Sequence, residues 1–271
     1  MRNVIQKRKT TCGKFARYAV GACAGMLLNG VWAGEEWSGR ELTIYGSTSP
    51  ASTYVKAMNK ETLSADLIRI GTEKGSAALV AVDSTIDVTG VLCLGYERDP
   101  GYSSLTAAVA LTNTTLTCAS VRMGDGMTST RTAGTRLEIG PGSVVKAKYV
   151  DRYSASTPLV VFTGGKLDCS SSTSGYLFSP QGWTWKNTWP NGSMEVKGDG
   201  APIDLTVEGS RDLVRGWGNR QIDFTGNGGF VKRGSGTLLW VWRTTGNTDA
   251  VVKGEPTYTG DTVIRQVALN W

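Results

Sequence analysis

The sequence predicts an all-β protein built as a β-solenoid, and three observations predict it. After residue 37 no long amphipathic stretch of period 3.6 occurs. Short runs of period two recur instead, separated by Gly, Ser, Asn and Asp. A strand-Gly-loop-strand order also appears three times. ADLIRIG (65–71), TGVLCLG (89–95) and CASVRMG (118–124) each end an apolar run in glycine. Each is followed by a polar loop and a second apolar run: AALVAV (77–82), AAVALT (107–112) and TRLEIG (135–140). Gly71 and Gly95 are 24 residues apart, and Gly95 and Gly124 are 29 apart, the spacing of stacked coils. A sandwich or barrel is the competing architecture. Its hairpins give similar turns but not the same order three times over.

The individual runs read as half-buried strands. In Ile203-Asp204-Leu205-Thr206-Val207-Glu208 the apolar residues share one face. Leu137 and Ile139 alternate with Arg136 and Glu138, and Met194 and Val196 alternate with Glu195 and Lys197. About ten coils would fit residues 34–271 at a typical repeat length.

Residues 1–33 form a separate segment, read as a secretory signal peptide helix cleaved after Ala33. Arg2, Lys7, Arg8, Lys9, Lys14 and Arg17 make a basic start, and no acidic residue precedes Glu35. An apolar run follows from about Tyr18 to Val31, closed by Val31-Trp32-Ala33. The alternative, a membrane anchor, needs ~20 uninterrupted apolar residues, and this run contains glycines and Asn29. Val20-Gly21-Ala22-Cys23 is only loosely like a lipoprotein site. The net charge of +6 belongs to this leader: taking its six cations from 29 leaves 23, against 23 acidic residues. A neutral body lacks the basic surface that a general nucleic-acid binder needs.

Cys93, Cys118 and Cys169 remain in the mature chain, an odd number that allows one disulfide at most. Cys93 and Cys118 are 25 residues apart, which places them on neighbouring coils of a solenoid; whether they are bonded stays open. The chain has no His, so neither a transition-metal site nor a Ser–His–Asp arrangement is expected, and no cofactor is predicted.

GNGGFVKRGSGTLLW (226–240) puts five glycines into eleven positions before a strand. It is not a phosphate loop, because Ser235 and Gly236 follow Gly234 where Lys and Ser or Thr should open a helix. It is not a dinucleotide fingerprint either, because Val231 stands where the third glycine should be. Tight corners between stacked coils explain the glycines better. In that reading Leu238, Trp240 and Trp242 share one face of the strand, and Thr237, Leu239 and Val241 the other.

The same stretch resembles the passenger-associated transport repeat of bacterial autotransporters, G-x-G-x-L-x-K-x-G-x-G-T-L-x-L followed by Y-T-G-x-T. Gly226, Gly228, Phe230, Lys232, Gly234, Gly236, Thr237, Leu238 and Trp240 take the first positions in order. Tyr258, Thr259, Gly260, Asp261 and Thr262 take the second element. The resemblance covers residues 225–264. It implies a right-handed parallel β-helix that is exported and displayed at, or shed from, the cell surface, with these motif residues structural rather than catalytic. The segment between Trp240 and Tyr258 is longer than the family's. A membrane barrel needs many further alternating strands, so contact with an outer membrane is expected only through a translocator absent from this chain.

Candidate chemistry is sparse. Asp151 with Arg152, Asp199 with Asp204, and Asp212 with Arg215 are the pairs that a polysaccharide-active β-helix could use, and no spacing singles one out. Trp183, Trp185 and Trp189 in GWTWKNTWPNG (182–192) would lie on one side of an extended segment and could stack on sugar faces. Packing of that loop against the coil is the plainer expectation. The sequence therefore points to an exported, secreted or cell-surface solenoid with a structural or adhesive role and no enzymatic activity. Its expected partners are the secretion machinery and surface glycans or matrix, with no nucleic acid. A secreted polysaccharide-active enzyme and a non-catalytic carbohydrate-binding module are the alternatives.

Overall fold

A computed structural model describes residues 33–48, 51–72, 75–96, 106–124, 134–152, 158–172, 175–179, 193–216, 221–244 and 257–264. The expected signal helix and the tryptophan loop lie outside the described residues. Those described contain strands and no helix.

β1 (Gly34–Ser38) and β2 (Glu41–Tyr45) pair antiparallel, and a small hairpin follows, β3 (Ser47–Thr48) with β4 (Ala51–Ser52). β5 (Tyr54–Asn59) and β6 (Thr62–Ala65) come next. The chain then repeats a three-strand circuit. The first is β7 (Leu67–Thr72), β8 (Ala77–Val82) and β9 (Thr85–Val88). The second is β10 (Val91–Tyr96), β11 (Thr106–Thr112) and β12 (Thr115–Thr117). The third is β13 (Ser120–Met123), β14 (Gly134–Ile139) and β15 (Val144–Lys146). β16 (Val150–Arg152), β17 (Leu159–Phe162) and β18 (Lys166–Asp168) make the fourth. β19 (Tyr176–Ser179), β20 (Ser193–Gly198) and β21 (Ile203–Thr206) make the fifth. The last are β22 (Ser210–Gly216), β23 (Gln221–Gly226) and β24 (Phe230–Arg233), then β25 (Thr237–Thr244) and β26 (Thr262–Ile264).

Each circuit adds one strand to each of three sheets, and every new strand pairs parallel with its counterpart one circuit earlier. The first sheet runs β1-β2-β7-β10-β13-β16-β19-β22-β25. The second runs β23-β20-β17-β14-β11-β8-β5, and the third β26-β24-β21-β18-β15-β12-β9-β6. The repeats read from sequence fall into register: Ile68 pairs with Leu92 and Leu92 with Val121, while Ala77 pairs with Ala107 and Ala107 with Thr135. Gly71, Gly95 and Gly124 all have positive φ at the ends of these strands, a backbone state that glycine adopts without a Cβ clash.

Among the described residues the first sheet has eight successive parallel strands, against the ten coils expected for residues 34–271. The reason is the length of the links from the first sheet to the second. β10 ends at Tyr96 and β11 begins at Thr106, so a circuit uses more residues than its strands need.

The core consists of stacked apolar columns. Leu79, Val109, Leu137, Val160, Val196 and Phe224 follow one another inside the second sheet. Leu63, Ile86, Leu116, Val145, Leu167 and Leu205 do so inside the third. The corner between these sheets also contains a buried hydroxyl ladder. Ser84 Oγ accepts from Glu61 N, Thr114 Oγ1 from Ser84 N, and Ser143 Oγ from Thr114 N. Backbone groups that turn away from the sheets are thereby satisfied by the next circuit. At the start of the molecule Glu35 of β1 accepts from Tyr54 Oη at 3.1 Å and Lys56 Nζ at 2.8 Å. Burial, and then the Glu35 carboxylate, push the Tyr54 phenol up to about 12.

Candidate functional site

The glycine-rich stretch lies where backbones of successive circuits touch. A Cβ on Gly226 would collide with the Gly198 carbonyl, and one on Gly228 with the Ala201 carbonyl. At Gly234 and Gly236 it would meet the carbonyl oxygens of Val207 and Gly209. Gly226 and Gly234 also have positive φ, of 99° and 83°, so both conformation and space exclude a side chain there.

The second motif element packs onto the first. Thr257 N and Thr259 N donate to Phe224 O and Gly226 O at 2.8 and 2.9 Å, and Phe230 N donates to Asp261 O at 2.9 Å. Tyr258 stacks on Phe230 with ring centroids 6.1 Å apart, and its hydroxyl lies 2.6 Å from Thr262 Oγ1. Gly260 has no room for a Cβ against Gly229. Leu238 packs against the core edge, and Thr237 N donates to Gly209 O. Lys232 lies in register with Leu205, is 6% exposed, and donates to Gly234 O at 2.6 Å.

The strand that follows departs from its expected alternation. Leu239 pairs with Asp212 but Trp242 pairs with Val214, so two residues of β25 oppose one of β22. This bulge interrupts the period of two; the side chains of Trp240, Val241 and Trp242 lie outside the described residues.

Three features on the outer faces carry chemistry. The first is a row across the first sheet, Arg69, Cys93, Arg122 and Asp151, paired in that order. Asp151 is 3% exposed, and its Oδ1 finds no hydrogen-bond partner among the described residues. Burial pushes its carboxyl up to about 8, against the opposing pull of the Arg122 guanidinium and a hydrogen bond from Tyr176. The candidate pair Asp151 and Arg152 does not come together. Adjacent strand residues point to opposite faces, and Arg152 is in register with Met123.

The second feature is a groove of about 400 Å³ on the third sheet, lined by Gly142, Ser143, Val144, Gly164, Gly165, Lys166, Asp204 and Arg233. Arg233 reaches across one strand to Asp204. Its Nε lies 2.7 and 2.9 Å from the two carboxylate oxygens, and its Nη2 lies 2.6 Å from Oδ2. The Asp204 hydrogen bonds raise the guanidinium's proton affinity further. The third feature is a flat apolar patch on the second sheet, where Val55 pairs with Ala78 and Ala78 with Ala108, and Ala57 with Val80 and Val80 with Ala110.

The other sequence candidates do not assemble. Asp199 pairs with Lys197 at 3.3 Å and Asp204 with Arg233, so these two carboxylates each have their own cation. Asp212 is buried in register with Tyr176, and the Arg215 side chain lies outside the described residues. Trp183, Trp185 and Trp189 also lie outside them. Cys93, Cys118 and Cys169 are buried thiols, and burial pushes Cys118 up to about 12. Among the described residues no cluster of His, Cys, Asp or Glu could hold a metal ion. Among the described residues no helix is long and apolar enough to cross a membrane.

Arg122, Tyr176, Lys166 and Arg233 went unseen in sequence. Aligning the repeats exposes part of the first row, since Arg69, Cys93 and Arg122 take the same place in ADLIRIG, TGVLCLG and CASVRMG. Compared with protein-family models, curated proteins and solved structures, the chain matches none.

Proposed function

We propose that the protein is an exported β-solenoid, a right-handed parallel β-helix of the autotransporter-passenger type, with a structural and adhesive role at the cell surface. The observation that carries this reading is the joint packing of the two motif elements. Glycines 226, 228, 234 and 236 occupy positions without room for a side chain, and Tyr258 and Thr259 dock onto the same circuit. The basic leader followed by a charge-neutral body supports export. The long parallel faces, including the Ala and Val patch of the second sheet, offer the contact area that adhesion uses.

The test is the location and N-terminus of the product in cells that make it. The expected product begins at Gly34 and is labelled by antibody on intact cells or recovered from the medium. A product that keeps Met1 and is reached only after lysis would sink the proposal.

One observation favours a polysaccharide-active enzyme as the second reading. Asp151 is a buried carboxyl held protonated near neutral pH, beside Arg122 and Tyr176, as a general acid would be. Sugar release from a polysaccharide panel that disappears in Asp151→Asn would establish it.

A further inference from the structure

The groove on the third sheet is unlike the rest of the surface. Its floor is the backbone of Gly142, Gly164 and Gly165, and a Cβ on Gly165 would sit 2.5 Å from Gly140 O. These three lining glycines put no side chain into the groove. Its walls carry two cations and one carboxylate. Asp204, only 8% exposed, gives both oxygens to Nε and Nη2 of Arg233. That grip fixes the planar guanidinium and leaves Nη1 unengaged among the described residues. Lys166 lies one rung from Asp204 on the neighbouring strand, because Leu167 pairs with Leu205. Among the described residues Lys166 has no ion pair.

We propose that this groove binds an acidic sugar unit of a glycan, with its carboxylate held between Lys166 and Arg233 Nη1; the assignment rests on the adhesive reading above. With Asp204 paired to Arg233, the groove lining carries one net positive charge, that of Lys166, which favours an anion; Asp168 lies on the same face of the sheet, two residues along from Lys166. A volume of about 400 Å³ far exceeds what a lone inorganic anion fills. The glycine floor suits the flat face of a pyranose ring, which side chains would hold away from the sheet. The Arg233–Asp204 pair is already formed, so little ordering of the guanidinium opposes binding.

The experiment is calorimetric titration of the purified secreted chain with a galacturonic acid dimer, a galactose dimer and inorganic sulfate. The expected result is saturable binding of the acidic dimer, weaker at high salt, with the galactose dimer and sulfate bound far more weakly. Lys166→Gln should lose about tenfold in affinity, the scale of one charged hydrogen bond. Lys146→Gln, an exposed lysine outside the groove, should lose nothing. No saturable binding of the acidic dimer, equal affinity for the galactose dimer or for sulfate, or equal losses in the two lysine variants overturns the proposal. Binding by purified protein is independent of where the protein is found, so a negative result here leaves the surface-location test standing on its own.

Discussion

Lys232 follows Leu205 in the inner column of the third sheet, with Ile264 in register beyond it, and donates its ammonium to the carbonyl of Gly234, 2.6 Å away. In the six preceding circuits that column holds Leu63, Ile86, Leu116, Val145, Leu167 and Leu205. A lysine at this place threads its stem along the core and turns its charge into the corner made by Gly234. The K-x-G spacing therefore has a local cause: the side chain satisfies the carbonyl two residues on.

Replacing Lys232 by Met keeps the stem and removes the donor. The expected cost is about 1 kcal/mol near neutral pH, because the lost hydrogen bond is partly offset by relief from desolvating a cation. Burial is the first cause holding the Lys232 pKa below its usual value, and Glu208 works against it. A depressed lysine contributes most stability above its unfolded pKa and loses it as pH falls through the folded one. The gap between parent and Lys232→Met should therefore widen as pH approaches the unfolded lysine value of about 10.4. Chemical denaturation at pH 7 and pH 10 checks both points. A variant as stable as the parent at both would remove the role given to the ammonium.

Gly228 makes the second case, and here close approach alone decides, since its φ is not positive. An added Cβ would overlap the Ala201 carbonyl, nitrogen and carbon. Because that obstacle is backbone, no rotamer change relieves it. Gly228→Ala should destabilise by about 3 kcal/mol or more. Gly134→Ala, whose nearest neighbour would be a Thr106 methyl at 3.6 Å, should stay within about 0.5 kcal/mol of the parent. Thermal unfolding of the two variants side by side reads the difference. Similar midpoints would mean that circuits at the motif are not in backbone contact.

The strands were readable because their signal is local. Period-two alternation in TRLEIG or IDLTVE records which side chains face inward, and a glycine after each strand records the corner. The neighbour of Asp151 is hidden for the complementary reason. Its sequence neighbour Arg152 is sent to the other face, while Arg122 comes beside it only through pairing of β13 with β16. The Arg233–Asp204 pair is likewise formed between circuits, 29 residues apart in sequence. Lys232 was legible as a motif position but not as a core position, because nothing in its own segment says that the column it joins is apolar. The bulge in β25 was invisible since both of its strands look regular when read alone.

The hydroxyl ladder provides the third prediction. Thr114 is 1% exposed, accepts from Ser84 N at 3.2 Å and donates to Thr112 O at 2.8 Å. Thr114→Val keeps the shape and leaves the buried Ser84 N–H without its acceptor. The expected loss is about 1–3 kcal/mol. Thr115→Val, at the start of β12 just after this corner and half-buried, should be close to neutral. Amide hydrogen exchange gives a sharper readout than stability alone. The Ser84 amide should exchange faster in Thr114→Val, and unchanged protection there would show that the ladder is not what satisfies it.

The fourth concerns Asp151, whose carboxyl is raised from an ordinary 3.8 to about 8, chiefly by burial. The unfolded chain loses this proton near pH 4, whereas the folded protein keeps it until about pH 8. Between those values the native state binds more protons, so Asp151 makes stability fall as pH rises. The slope is at most about 1.4 kcal/mol per pH unit. Below pH 4 the contribution is fully present, and above pH 8 it is gone. Asp151→Asn imitates the protonated form at every pH. The variant and the parent should therefore melt together near pH 4, and the variant should melt higher at pH 8. Tyr176→Phe removes a hydrogen bond that favours the ionised form, so the parent's fall should still begin near pH 4 but extend to higher pH. Melting curves at pH 4, 6 and 8 decide the matter. Parallel curves for parent and Asp151→Asn would mean that the folded carboxyl titrates as the unfolded one does, near pH 4, and the general-acid reading of this row would fall with it.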